Sequence, residues 1–323
     1  MTINKTKGAF SYFDWVRESS HPDNDFVWLL DVQPKVGGTI TQGDYKSIGN
    51  TVANDKLKFE DGGLDIVLSH YKDFDKKYPD LRRLRVIGFC GHNLPPTTVI
   101  TATWERVDGL GVFIDSKVKT LVLDDDYYLR RNFQVNDWFV FDDPCDWVSG
   151  VVNKVKISIT PPLVGGITNR FEIGRVWMGS LFSQDTQISG ESLFDGGTRI
   201  TYLSNGELQR NEENSAGYPK AAPVQRMISV TKSNMPFQVA HGLHDDATLN
   251  YENMYTESYA KMAMECHRFR DVVVMPDYAN KKAMKFTTVW GSIQNNMTIA
   301  KSPENDLYSC SVDVLELVDE GKN

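Results

Sequence analysis

Between Leu84 and Trp104 the chain reads LRVIGFCGHNLPPTTVITATW, two apolar runs separated by a Gly-His-Asn turn and a pair of prolines. A related run, FEIGRVWMGSLF, occupies Phe171–Phe182. Runs this short, rich in β-branched and aromatic residues and closed by Gly, Asn and Pro, have the make-up of buried strands. A strand of this kind must bury its apolar face against a second layer, so the expectation is a β-sandwich.

The same signature recurs along the chain. Strands are predicted at Phe26–Asp31, Leu64–Ser69, Leu84–Gly91, Thr98–Glu105, Trp138–Phe141 and Lys154–Thr160. Others are predicted at Phe171–Gly179, Gln225–Val230, Phe286–Trp290 and Tyr308–Val318. Val155, Ile157 and Ile159 alternate with Lys156, Ser158 and Thr160, the period of a half-buried strand. One segment departs from this pattern. In NMYTESYAKMAMECHRFRD, Tyr255, Tyr259, Met262, Cys266 and Phe269 fall on one helical stripe, which predicts a helix near 253–270.

A length of 323 residues exceeds what one core usually serves. Polar, Gly-rich stretches at Ser183–Gly197 and Leu208–Pro223 place the boundary just after Phe182. The expected division is 1–182, a β-sandwich with an N-terminal extension, and 183–323, a smaller β-rich domain carrying the one helix. Leu208–Pro223 is long enough to act as an arm against a neighbour.

Charge and cysteine usage exclude several classes. The net charge of −8 disfavours a phosphate-binding surface, and the basic run at Leu81–Arg85 leads straight into a strand. Cys90, Cys145, Cys266 and Cys310 form neither a CxxC pair nor a zinc pattern, so buried free thiols are expected. No apolar run has the length of a membrane span, and the opening MTINKTKGAF carries no signal-peptide core. Folding in a reducing cytoplasm fits these features.

Candidate chemistry is sparse. Asp124–Asp126 and Asp142–Asp143 could offer oxygens to calcium, but no EF-hand pattern surrounds them and solvated turn carboxylates are the default. His241 and His244 flank Gly242 in a loop-like stretch, without the H-E-x-x-H of a metalloprotease. Nucleophile elbow, P-loop and dinucleotide fingerprints are all missing. No enzyme, cofactor or metal is therefore expected. The turn at Gly91–Pro96 admits two readings. His92 and Asn93 could bind sugar hydroxyls while Trp104 or Trp138 stacks on the ring, or His92 and Asn93 could satisfy backbone groups within the turn.

Three pieces of the chain resemble a family of virion proteins from tailed phages. They are Gly91-His92-Asn93-Leu94, then Glu172-Ile173-Gly174-Arg175 with Gly179, and the terminal Ser311–Val318 (SVDVLELV), over roughly residues 80–320. The resemblance implies a galactose-binding-like (discoidin-like) sandwich followed by a domain similar to tail-tube or distal-tail proteins. It also implies the role: a tail or tail-adaptor subunit, assembled into the virion in the host cytoplasm, contacting copies of itself and neighbouring tail proteins. Neither nucleic acid nor membrane is an expected partner. The alternative is a carbohydrate-binding module that recognises a host-surface glycan through His92, Asn93, Trp104 and Trp138.

Overall fold

The computed structural model describes residues 8–11, 14–20, 28–49, 56–70, 84–123, 135–141, 151–162, 169–183, 198–203, 225–236, 271–294, 298–301, 303 and 307–317. In chain order the first elements are β1 (Ala9–Ser11), α1 (Trp15–Ser20), β2 (Trp28–Pro34), β3 (Thr39–Gln42), α2 (Tyr45–Gly49), β4 (Leu57–Glu60) and β5 (Leu64–His70). There follow β6 (Leu84–His92), β7 (Val99–Val107), β8 (Phe113–Leu121), β9 (Val135–Val140), β10 (Val151–Thr160), β11 (Arg170–Ile173), β12 (Arg175–Ser180) and β13 (Phe182–Ser183). The remainder are β14 (Thr198–Leu203), β15 (Gln225–Pro236), β16 (Asp271–Met275), α3 (Lys281–Thr287), β17 (Val289–Ile293), β18 (Thr298–Lys301) and β19 (Leu307–Glu316). Strands account for 66% of the described residues and every pairing is antiparallel, so the fold is mainly β.

Two compact units form. The first comprises Phe13–Leu181 and contains a five-stranded sheet in the order β2-β5-β10-β7-β8. Alternation decides its faces. Leu64, Ile66 and Leu68, Val155, Ile157 and Ile159, and Ile100, Ala102 and Trp104 all point inward and are buried. They share one core with Phe59, Phe171, Ile173, Ile87, Phe89, Val176 and Met178 from two three-stranded sheets, β11-β4-β3 and β12-β6-β9. The result is sandwich-like, with one face of the five-stranded sheet buried and the other lined by groups such as Lys154, Lys156, Ser158 and Thr160. On that outer face Lys35 Nζ donates to Thr160 Oγ1 at 2.6 Å and Ser158 Oγ at 3.1 Å, and Ser158 donates to Asp65 at 2.6 Å.

The Phe171–Gly179 segment was expected as one strand, and the structure breaks it at Gly174. There the Gly174 N–H donates to Cys90 O (3.1 Å), and a Cβ would meet that same oxygen at 3.0 Å. Glycine lets the chain leave one small sheet and enter the other.

The second unit is built on a sheet in the order β13-β1-β16-β17-β19-β15-β14, with β18 also beside β19. β16 is buried at all five positions, as its Val-Val-Val-Met run dictates. Glu316 at the end of β19 accepts from Arg226 through both carboxylate oxygens, while Arg226 also donates to Thr288 O at 2.9 Å. Two expectations change here. Residues through Tyr12 group with this unit, because Ala9, Phe10 and Ser11 are buried and β1 pairs with β13 on one side and β16 on the other. Phe286–Trp290 is not one strand. Lys, Ala and Met favour helix, Met284 N–H donates to Asn280 O (2.8 Å), and α3 runs to Thr287 before β17 begins. The helix expected near 253–270 and the polar stretches 184–197 and 208–223 lie outside the described residues.

Candidate protein interface

The Gly91–Leu94 turn is a structural latch. Gly91 takes a φ of +63°, a region that glycine enters without a Cβ penalty. His92 is buried, its Nε2 lies 2.9 Å from Asp137 Oδ2, and its Nδ1 accepts from the Leu94 N–H at 3.1 Å. An Nδ1 that accepts a backbone N–H carries no proton, so Nε2–H is the group that donates to Asp137. A His–Asp pair can orient a general base, but only if the second ring nitrogen faces a reactant. Here that nitrogen is held by backbone and the ring is enclosed.

Asn93 is exposed, yet both ends of its side chain serve the backbone of β11. Its Oδ1 accepts from Glu172 N–H (2.7 Å), its Nδ2 donates to Arg170 O (3.3 Å), and its own N–H donates to Glu172 O (3.2 Å). The turn thereby extends the pairing of β6 from β12 onto β11. Of the two readings of this turn, the hydrogen bonds found are those of backbone satisfaction.

Trp104 and Trp138 offer no platform for a sugar ring. Trp104 is 0% exposed and meets Phe141 edge to face at 5.2 Å. Trp138 lies opposite Gly88 on β6, as does Trp177 from the other side, and a methyl at Gly88 would fall inside the Trp138 ring. Both expected stacking residues are core. The physical reason is parity: Trp104 shares its face with Ile100 and Ala102, which point inward.

Arg175 is likewise structural. Its Nη2 donates to Asp14 Oδ2 at 2.8 Å with both side chains almost fully enclosed, and its guanidinium sits 5.6 Å from the Trp177 ring centre. The other Asp14 oxygen accepts from Val16 N–H at the start of α1 and from Met178 N–H on β12. One carboxylate thus caps a helix, joins it to β12 and neutralises a buried cation.

One part of the surface is apolar. β8 is the edge strand of the five-stranded sheet, and among the described residues only β7 pairs with it. Leu110 is 90% exposed and Val122 69%; Val112, Phe113 and Val118 are each close to 60%, and Ile114 and Val99 are exposed too. The tip that carries Leu110 is well defined. Asp108 Oδ1 accepts from Leu110 N–H and Val112 N–H, both at 2.8 Å, and Gly111 supplies the positive φ of +81°. Arg106, buried on the inner face of β7, binds Asp115 on β8 bidentately at 2.8 and 2.9 Å, directly across the ladder. A rigid hairpin that holds a row of apolar side chains in water is suited to contact with another protein. Sequence periodicity misses β8, because a strand with neither face buried shows no apolar alternation; its signal is the Phe-Ile and Lys-Val-Lys composition between turn residues.

Among the described residues no group of three or more His, Cys, Asp or Glu is placed to hold a metal, and no helix is long and apolar enough to cross a membrane. Asp124–Asp126, Asp142–Asp143, His241–Asp246, Cys145 and Cys266 lie outside those residues. Cys90 is buried. Compared with known proteins, the chain matches no family model, no curated protein and no solved structure.

Proposed function

We propose that this chain is a structural subunit of a tailed-phage virion, a tail or tail-adaptor component that acts through contacts with copies of itself and with neighbouring tail proteins. The observation that carries the protein-contact part is the β7–β8 hairpin, with its rigid tip and its outward apolar row. The assignment to a phage tail rests on the resemblance of Gly91–Leu94, Glu172–Gly179 and Ser311–Val318 to virion proteins. Two of those segments supply hydrogen bonds that hold the sandwich unit together, which is the role expected of a family's scaffold residues.

The glycan-binding alternative loses its aromatic platform with Trp104 and Trp138 in the core, so no second reading is carried forward. The test is the protein content of purified phage particles. Mass spectrometry and antibody labelling should find this chain at a fixed copy number and at one end or along the length of the tail. Its absence from intact particles would overturn the reading.

A further inference from the structure

β8 and its flanks read Leu-Gly-Val-Phe-Ile-Asp-Ser-Lys-Val-Lys-Thr-Leu-Val from Leu110 to Val122. Both edges of a sheet can accept a further strand, and natural edges are commonly guarded by lysines and bulges. This edge has both. Lys117 and Lys119 lie along it, and the ladder to β7 shifts between Arg106 and Val107, leaving Ile114 as an extra residue. Such guards exclude most partners, and the question is which strand they admit.

We infer that they admit β8 of a second copy, paired antiparallel about a two-fold axis at Ser116. The inference deepens the self-contact part of the proposed function and rests on it for the choice of occupant. Electrostatics selects the register. A two-fold perpendicular to a sheet preserves its faces, so each residue must meet one of the same parity. Centring on Asp115 sets that carboxylate against itself. Centring on Lys117 sets that lysine against itself, and centring on Val118 sets Lys117 against Lys119. Like charges directly opposite are destabilising.

Centring on Ser116 removes every such clash. Asp115 then faces Lys117 of the partner twice over, by symmetry, and Lys119 falls outside the shared ladder. On the other face Ile114 meets Val118, while two small hydroxyls meet on the axis. The exposed Ile114 and Val118 thus gain apolar partners. The five residues Ile114–Val118 of each copy form the shared ladder, bounded at both ends by the bulge. Asp115 keeps its bidentate bond to Arg106, since a carboxylate accepts more than two donors.

Disulfide trapping in the full-length chain tests this directly. In Ser116→Cys the two Cβ atoms would lie about 4.5–5.5 Å apart across the axis, near disulfide reach. In Thr120→Cys the symmetry mates would be about 26 Å apart along the strand. Under mild oxidation Ser116→Cys should give a covalent dimer, with Thr120→Cys no different from the native protein and its own thiols. Lys117→Glu should raise the dimer dissociation constant about tenfold, because two attractive pairs become repulsive, whereas Lys119→Glu, outside the shared ladder, should change it little. Equal trapping at 116 and 120, or none at 116, would overturn the pairing. Loss of the cross-link leaves the particle-content result untouched, and absence from particles leaves the cross-link untouched, so the two failures are distinguishable.

Discussion

Asp14 and Arg175 are 161 residues apart in the chain and share one buried bond. Removing one partner leaves an uncompensated charge, so Arg175→Met should cost about 3–5 kcal/mol in denaturant unfolding of the sandwich unit. Gly88 is a different kind of constraint. With Trp138 against it, Gly88→Ala should destabilise by about 1–3 kcal/mol through overpacking, visible as a lowered midpoint with an unchanged denaturant slope. Trp104→Ala removes an enclosed indole and should cost about 3–5 kcal/mol. Turn chemistry was legible at this scale, since Gly91, His92 and Asn93 do what a Gly-His-Asn turn suggests. The glycan alternative needed Trp104 at the surface, but its parity with Ile100 and Ala102 places it in the core. The role of Arg175 has no local signal, because nothing in nearby sequence reveals a partner at Asp14.

Two strands that enter the core were read from the sequence almost to their ends: Leu64–Ser69 is β5 (Leu64–His70) and Leu84–Gly91 is β6 (Leu84–His92). The apolar alternation of β5 and the unbroken buried run Val86–Cys90 of β6 are direct imprints of the core. β8 left no such imprint, since its outer row of Ile114, Val118 and Val122 faces solvent and its inner row is Asp115, Lys117 and Lys119, with only Leu121 buried. α1, α2 and α3, of six, five and seven residues, are too short to develop a helical period. Because the outer row of β8 contributes little to the core, Val118→Lys should leave the unfolding free energy within about 0.5 kcal/mol of the native value. The same substitution should abolish self-association in sedimentation, since it sets two lysines against two Ile114 side chains.

The mainly β class followed from the chain's short β-branched runs, and the structure bears it out. The division into units depends on long-range pairing that no local window contains. Phe10 pairs with Phe182 and Val274, and only those bonds assign the N-terminal strand to the second unit. With His92 and the two tryptophans in the core and Asn93 bonded to the backbone of β11, the surfaces carry the proposed role, above all the exposed hairpin. The most direct measurement is the native mass of the full chain over a concentration series at physiological salt. A discrete species of two chains, or a closed multiple of two, that grows with concentration is the predicted result. One chain's mass at every concentration would contradict the account.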